Sequence, residues 1–220
     1  MKKVLIIKKI HDSGIKLLDS RRDFSYEIVE DPETSVLINK VQDCDAISLK
    51  TSKFGSDLIN AANKLKIISR HGVGYDNVDL ETVKKKKIIL SITTNSNATS
   101  VAEHVFFMML SISRGADTYD KTVKEGKFLN RKNLELSKEL WNKNILIAGF
   151  GRVGKNLIKK CIGFDMNIFV YDPFVDKKII DSLGGKKIDN FQNTIQEMDY
   201  ISLHMPLTDK TKSLINMKII

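Results

Sequence analysis

The stretch that decides the fold is NILIAGFGRVGKNLIKKCIGFDMNIFVYDP, residues 144–173. An apolar strand at residues 144–148 leads into the glycine-rich turn GFGRVG. An amphipathic helix, a second strand at residues 167–171 and Asp172 follow. This order and spacing are typical of the βαβ unit that binds dinucleotides on a parallel sheet. The alternative for the turn alone is an ordinary glycine-rich loop, but the flanking elements favour dinucleotide binding.

Each glycine of the turn has its own predicted task. Gly149 permits the tight turn out of the strand, and Gly151 lets the backbone approach a pyrophosphate without a Cβ in the way. Gly154 lets the helix and the strand pack closely. The helix that follows directs its unpaired N–H groups and its positive dipole end at the phosphates.

Asp172 selects the predicted cofactor. It lies about 20 residues beyond the glycines, where a carboxylate accepts hydrogen bonds from the adenosine ribose hydroxyls. A 2′-phosphate about 4 Å away would cost about 4 kcal/mol per charge pair at an effective dielectric constant of about 20. Pro173 and Phe174 follow Asp172, so no arginine stands there to receive a phosphate. The sequence therefore predicts NAD rather than NADP.

The composition is that of an ordinary soluble globular protein. The chain has 220 residues, of which 42% are hydrophobic and 29% charged, so one or two domains with a packed core are expected. The apolar start at residues 4–7 is too short for a membrane span and lacks a signal-peptide pattern. Cys44 and Cys161 are isolated, which predicts reduced thiols and no metal site. We expect a cytoplasmic protein with no membrane partner.

The formal net charge of +9 raises the question of a nucleic-acid partner. The lysines are dispersed, and the one dense run, at residues 84–87, closes a helix predicted over Leu80–Lys86. Cations there complement the helix dipole and remain solvated. We predict no nucleic-acid partner.

Short apolar runs alternate with helical patterns along the first part of the chain, which is typical of βαβ units on a parallel sheet. The predicted strands are Val4–Ile7, Tyr26–Val29, Ala46–Leu49, Lys66–Ser69 and Ile88–Ile92. Asp12 and Ser13 mark one helix start, and Ser56 and Asp57 mark another. The fold class is therefore α/β, with a first doubly wound, flavodoxin-like domain over residues 1–98. A second, Rossmann-like domain follows over residues 99–220.

A long helix opening at Ser100 is predicted to join the two domains. Ser100 and Glu103 form a capping-box pattern, which favours a capping role for Glu103 over a catalytic one. The run Val101–Ile112 is apolar nearly all round, so the helix is expected to be buried on more than one side, at a domain or subunit interface. His104 is interpreted as a structural histidine on that buried face.

The segment SLHMPLT, residues 202–208, ends the last predicted strand. Ligands bind at the carboxyl ends of strands in open α/β sheets, so His204, Met205 and Pro206 are expected to line the adenine and ribose site. The alternative for His204 is a histidine that caps the loop.

A second candidate site lies in RHGVGYDN, residues 70–77. Gly72 and Gly74 flank one residue at the end of a buried strand, so successive backbone N–H groups can point the same way and form an anion nest. A carboxylate would fit there. The alternative is a purely structural turn.

The ordered series HGVGYDN, NATSVAEH, GFGRVG, YDP and SLHMPLT resembles the D-isomer-specific 2-hydroxyacid dehydrogenases, which include phosphoglycerate dehydrogenase. The resemblance covers essentially the whole chain. It implies a substrate (catalytic) domain over residues 1–98 and an NAD-binding domain over residues 99–220, with the active site in the cleft between them. It also implies a homodimer built around the helix starting at Ser100.

The resemblance further implies roles for single residues. Gly72, Val73 and Gly74 would hold the substrate carboxylate through backbone N–H groups, and Arg152 and Val153 would meet the pyrophosphate. Asn97 matches an asparagine that contacts substrate in the formate dehydrogenase branch.

The sequence departs from the family pattern at three points, which limits the roles that the resemblance implies. Residues 92–95 replace an Asn-Thr-Pro-Gly stretch, and Lys50 stands where phosphoglycerate dehydrogenases tend to have an arginine, which alone binds anions in a bidentate way. The catalytic arginine, glutamate and histidine of the family come later than the segment matching Ser213–Ile220. We therefore expect them beyond Ile220, with only the N-terminal part of the NAD domain present and an unpaired apolar sheet edge.

The resulting prediction is an NAD-dependent oxidoreductase that transfers a hydride between a small D-2-hydroxy acid, such as phosphoglycerate, glycerate or lactate, and NAD. The chain on its own is predicted to be inactive. One alternative is a dinucleotide-sensing, corepressor-like interaction protein on the same scaffold. Another is a truncated product without function.

Overall fold

The computed structural model describes residues 1–30, 33–190 and 194–216. The chain forms two compact units, Met1–Ser96 and Asn97–Ile220. Each contains one wholly parallel sheet. The α/β class with two parallel-sheet units, expected from the alternating pattern, is confirmed.

The first unit is a five-stranded sheet in the order β2-β1-β3-β4-β5, which is the flavodoxin-like order. Its elements are β1 (Lys2–Ile7), α1 (Asp12–Asp19), β2 (Phe24–Val29), α2 (Thr34–Val41), β3 (Ala46–Leu49), α3 (Ser56–Ala61), β4 (Ile67–Arg70), α4 (Leu80–Lys85) and β5 (Ile89–Ile92). The central strands are buried because helices cover the sheet, and their side chains form one core with Leu58, Ile59 and Val83 of α3 and α4. All five predicted strands are present, with bounds shifted by two residues or fewer.

Side-chain caps mark the starts of two helices of this unit, α1 and α4. Asp79 accepts a hydrogen bond from the Thr82 backbone N–H and so caps α4. At the start of α1 the cap is His11, whose Nδ1 accepts from the Ser13 backbone N–H. Asp12 and Ser13, which mark the predicted helix start, form its first turn, and the capping residue is His11, one position earlier.

The second unit has a four-stranded sheet in the order β8-β7-β6-β9. Its elements are α5 (Ala98–Arg114), α6 (Ala116–Lys124), the 3-10 helix η1 (Phe128–Asn133), β6 (Asn144–Ala148), α7 (Arg152–Ile162), β7 (Asn167–Tyr171), α8 (Lys177–Ser182), β8 (Lys186–Lys187), the 3-10 helix η2 (Ile195–Glu197) and β9 (Tyr200–Leu203). Counted along the chain this is the order 3-2-1-4, the first four strands of the classical Rossmann order. The two-residue strand β8 has no periodic signal and was not predicted.

Two hydrophobic clusters cover the two faces of this sheet. On one face α5 and α7 pack together over β6, with Ala102 and Phe106 of α5 fully or largely buried. On the other face a smaller cluster joins Leu146 to Ile195, Leu214 and Ile215. Among the described residues β9 pairs with β6 alone.

Helix α5 differs from its prediction in two ways. It begins at Ala98 rather than at Ser100, and the predicted capping box does not form, because Ser100 already lies in the first turn. Glu103 instead pairs with Lys160 of α7, 3.5 Å between Oε1 and Nζ. His104 is exposed rather than buried, since helical periodicity turns it away from the inward row of Ala102, Phe106 and Met109.

Cys44 and Cys161 are free and buried. Desolvation by burial raises the pKa of the Cys161 thiol to about 12, so it stays protonated and unreactive at neutral pH. In the described parts of the chain, no helix is both long enough and apolar enough to cross a membrane.

Candidate dinucleotide and carboxylate sites

The glycine turn leaves β6 along a path that only glycine takes easily. Gly149 has φ +97°, and its backbone N–H donates to the Tyr171 carbonyl at 2.8 Å. A Cβ on Gly149 would lie 2.7 Å from the carbonyl carbon of His204, because the end of β9 passes directly over the turn. Gly149 is therefore required both by its backbone angle and by this close approach.

Gly151 and Gly154 serve the two different purposes that the motif predicts. Gly151 precedes α7, and a Cβ built on it would meet no atom within 4 Å, so its free side faces open space. Gly154 is buried in α7, where a Cβ would lie 2.5 Å from the Gly149 carbonyl oxygen. The first glycine leaves room for a ligand, and the second lets the helix pack against the turn.

Asp172 points at the glycine turn from the end of β7. Its Oδ2 accepts from the Phe150 backbone N–H at 2.7 Å, and its Oδ1 accepts from the backbone N–H groups of Phe174 and Val175 at 2.9 and 3.2 Å. Asp172 is half-buried, and each carboxylate oxygen has two acceptor positions, so one remains on Oδ2 for a ligand hydroxyl. The carboxylate thus also shapes the turn, a role that sequence reasoning missed.

A cavity of about 890 Å³ opens at the carboxyl ends of β6, β7 and β9. This lies within the range of about 300–1,000 Å³ that is typical of cofactor sites. Its lining is mainly apolar. It is formed by Gly149, Gly151, Tyr171, Asp172, Pro173, Phe174, His204, Met205, Pro206, Thr208, Asp209, Lys210, Thr211 and Leu214.

The structure brings six predicted cofactor residues to this cavity: Gly149, Gly151, Asp172, His204, Met205 and Pro206. Arg152 and Val153 begin α7 beside it and do not line it. The Arg152 side chain is exposed, while Val153 packs against the core, and their proposed contact with a pyrophosphate stays a prediction.

His204 lies at the end of β9, where its Nε2 is 2.8 Å from the Ser202 hydroxyl and its backbone N–H donates to the Ala148 carbonyl. Desolvation by burial lowers the pKa of the imidazole below its ordinary value of 6.5. The ring is therefore neutral at neutral pH and adds no positive charge to the cavity.

The segment Pro206–Leu214 was not predicted beyond its first residue, although it forms one wall of the cavity. Thr208 and Thr211 hold it in a turn, since each backbone N–H donates to the other residue's hydroxyl oxygen, at 2.7 and 3.3 Å. Two threonines three residues apart are a sequence signal for such a turn.

The second candidate site is the loop Gly72–Gly74, called the nest below, at the carboxyl end of β4. Gly72 has φ +149°, and its backbone N–H donates to the Arg70 carbonyl at 3.0 Å. Within the described ranges, the backbone N–H groups of Val73 and Gly74 have no hydrogen-bond acceptor. Two consecutive free amides on an exposed loop leave donors available for an anion.

Asn97 lies directly before α5, in the second unit, with its side chain exposed and making no capping hydrogen bond. The nest belongs to the first unit. The proposed substrate contact of Asn97 therefore stays a prediction.

The glycine turn, the carboxylate at the end of the next strand and the cavity beside them define a dinucleotide-binding α/β protein of the Rossmann type. Residues 106–220 match the model of the D-isomer specific 2-hydroxyacid dehydrogenase NAD-binding domain. The chain belongs to this family of NAD-dependent dehydrogenases.

Similar proteins support this membership along nearly the whole chain. A D-3-phosphoglycerate dehydrogenase of Methanocaldococcus jannaschii is 33% identical over 98% of this chain and 40% of its own length. A glyoxylate reductase of Thermococcus litoralis is 33% identical over 98% of this chain and 67% of its own length. The NAD+-bound 3-phosphoglycerate dehydrogenase of Entamoeba histolytica superposes with a TM-score of 0.80 at 28% identity, over 100% of this chain and 67% of that one. The chain thus spans between two fifths and two thirds of the length of these relatives.

Proposed function

We propose that this chain is the substrate-binding and NAD-binding portion of an oxidoreductase that transfers a hydride between C2 of a small D-2-hydroxy acid and NAD. The observation that supports it best is the cavity in which Asp172 faces a turn whose Gly151 borders open space. When bound, NAD supplies the hydride acceptor, and the protein supplies binding and orientation.

The residues present fit a dinucleotide. Gly151 directly precedes α7 and borders open space, so a pyrophosphate there would be favoured by the N–H groups of the first helical turn and by the helix dipole. The free acceptor position of Asp172 would take a ribose hydroxyl. The apolar lining, with Pro206 and Leu214, suits an adenine ring.

Asp172 supports NAD over NADP for this chain. A 2′-phosphate beside its carboxylate would meet like charge in a half-buried setting, at a cost of about 4 kcal/mol near 4 Å with an effective dielectric constant of about 20. Lys210 also lines the cavity, and one lysine at its exposed wall would offset only part of that repulsion.

On the substrate side, we assign the carboxylate to the nest, where the backbone N–H groups of Val73 and Gly74 would donate to it. Substrates of the family are 2-hydroxy and 2-oxo acids, and the relatives are named for different members of this class, so we propose the class of substrate.

Gly151→Ala tests the cofactor site. Its backbone φ is in the ordinary region and its Cβ meets no protein atom, so the fold is expected to be retained. The methyl group would occupy the space proposed for the pyrophosphate, at a cost of about 1–3 kcal/mol, or about 5- to 150-fold in NAD affinity. Titration calorimetry with NAD and with NADP measures both the affinity and the cofactor preference.

Gly55→Ala is the matched control, because Gly55 also precedes a helix and a Cβ there also meets nothing within 4 Å. Its NAD affinity is expected to equal that of the unchanged chain. Asp172→Ala is a poorer test, since it would also remove the acceptor of three backbone N–H groups. Equal NAD affinity of Gly151→Ala and the unchanged chain would contradict the proposal.

We also propose that the partner of this chain is a second copy, joined through α5. The outward face of this helix carries three large apolar side chains, Phe107, Met108 and Ile112, which are 63%, 48% and 72% exposed. An apolar face of this size on one helix is typical of an association surface.

A further inference from the structure

We propose that Asn77 is a positioning residue for the nest: it holds Arg70 against the back of Gly72 and so keeps the amides of Val73 and Gly74 free for a carboxylate. This inference rests on the proposed function, since it concerns the same substrate site. Asn77 touches no ligand in this scheme and acts through Arg70.

The side chain of Asn77 connects the carboxyl ends of two strands. Its Oδ1 accepts from Arg70 Nε at 3.3 Å, and its Nδ2 donates to the carbonyls of Lys50 and Ser52 at 3.2 and 2.7 Å. All hydrogen-bonding groups of the amide are thereby engaged. If the amide were flipped, its oxygen would face the two carbonyls and its NH₂ group would face the guanidinium, and neither contact could form a hydrogen bond. These partners therefore fix the orientation of the amide.

The backbone of Asn77 is anchored in the core of the first unit. Its carbonyl accepts from the Phe54 backbone N–H at 2.7 Å, and the Asp79 N–H donates to the Phe54 carbonyl at 3.2 Å. Phe54 is fully buried and forms a parallel bridge with Val78. The Asn77 side chain therefore extends from a rigid base.

Arg70 links the Asn77 side chain to the nest. Its Nη1 donates to the His71 carbonyl, and a Cβ on Gly72 would lie only 2.2 Å from Nη1. The guanidinium thus lies where a side chain at Gly72 would otherwise be. On the other side, the Thr93 N–H donates to the Gly72 carbonyl at 3.1 Å, so Gly72 is held from two directions.

Without the contact between Arg70 and Gly72, the Asp76 carboxylate could compete with a ligand for the free amides of the nest. The Asp76 carboxylate lies beside the nest, with Oδ1 3.2 Å from the position of a Cβ on Gly74. If Arg70 were released, the loop could turn the amides of Val73 or Gly74 toward Asp76. Fixed donors that do not reorganise bind an anion more strongly than donors that must first be freed.

The test is amide NMR of the ¹⁵N-labelled chain during titration with oxamate, a small carboxylate that resembles a 2-oxo acid. In the unchanged chain we expect saturable shifts at Val73 and Gly74. In Asn77→Ala we expect oxamate affinity to fall about 10- to 100-fold, the range for a displaced binding group. The affinity for NAD, measured on the same sample, is expected to remain unchanged.

Asp79→Ala is the matched control for a general loss of stability. It removes the cap of α4 two residues further on and leaves Asn77 and Arg70 in place, so oxamate affinity should be retained. Asn77→Asp keeps an acceptor for Arg70 and loses both donors to Lys50 and Ser52. It is expected to fold and to bind oxamate more weakly, and it decides the matter if Asn77→Ala does not fold.

A double variant tests whether Asn77 acts through Arg70. If it does, Arg70→Ala should weaken oxamate binding as much as Asn77→Ala, and the two together should cost no more than either alone. Additive losses would overturn the proposal, as would full oxamate affinity in Asn77→Ala or an equal loss in Asp79→Ala. If the unchanged chain gave no shift at Val73 and Gly74, the substrate site of the proposed function would itself be wrong.

Discussion

At the scale of single residues, glycine serves three different purposes within the turn of residues 149–154. Gly149 is needed because of its positive φ and the crossing of β9, and Gly154 because of helix packing. Gly151 is not needed by the fold at all, since the space beside it is open. Unlike Gly55, which also borders open space, Gly151 lines the cavity, and this position fits the proposed ligand site.

Gly149→Ala is expected to lower the free energy of unfolding by about 2 kcal/mol or more. The positive φ alone costs about 1–2 kcal/mol for a residue with a Cβ, and the contact with the His204 backbone cannot be relieved by a side-chain rotation. Chemical denaturation measures the loss. Gly55→Ala should cost less than about 1 kcal/mol, and equal losses for the two variants would show that the turn is not strained in this way.

His204 predicts a pH dependence of stability. The pKa of His204 in the folded chain lies below its ordinary value of 6.5, so between these two values the unfolded chain binds more protons than the folded one. Its contribution is fully present above about pH 6.5 and is lost as the pH falls through the folded-state pKa. Denaturation at pH 7.5 and 5.5 should show a smaller decrease for His204→Gln than for the unchanged chain, and identical decreases would contradict the assignment.

At the scale of elements, α5 shows why an apolar sequence does not reveal which face is buried. The inward row of Ala102, Phe106 and Met109 and the outward Phe107 and Ile112 are equally apolar in sequence. Packing against α7 selects the first row, because these side chains fill the core over β6. The outward row stays exposed and is available to the proposed association surface.

Phe107→Glu is expected to convert a dimer of this chain into a monomer, because a buried unpaired carboxylate is costly at an apolar interface. Light scattering after gel filtration gives the mass. Leu17→Glu on α1 is the control, since Leu17 is similarly exposed at 71% and carries no proposed contact. A chain that is already monomeric, or a Phe107→Glu variant that stays dimeric, would contradict the proposed interface.

At the scale of the whole molecule, the chain carries a net charge of +9, and some of its lysines make local contacts. Lys86 donates to the carbonyls of Ile59 and Asn60 at the end of α3, and Lys160 pairs with Glu103. These contacts fit the prediction of no nucleic-acid partner, which remains untested.

The chain as a whole is expected to bind NAD without turning over substrate. A histidine that acts as the acid or base in hydride transfer needs a carboxylate to orient it. In the parts of the chain that the structure describes, no such hydrogen bond to a carboxylate is made by the histidines His11, His71, His104 and His204.

NAD at about 100 times its dissociation constant should raise the free energy of unfolding by about 2.7 kcal/mol. Absorbance at the nicotinamide band, with lactate, glycerate or phosphoglycerate added, checks turnover, and a steady increase would disprove the prediction.

The sequence by itself determined the two parallel-sheet units, the strand positions and the family, because apolar runs of strand length and glycines at fixed spacing depend on local chemistry. It also indicated Asp172 and His204 beside the glycine turn, since both follow strands whose carboxyl ends meet at one edge. Tertiary structure alone decided the start of α5, the exposure of His104, the cavity wall at Pro206–Leu214 and the hydrogen bond between Asn77 and Arg70. These depend on which distant segments come into contact, and the spacing of residues along one chain does not encode that directly.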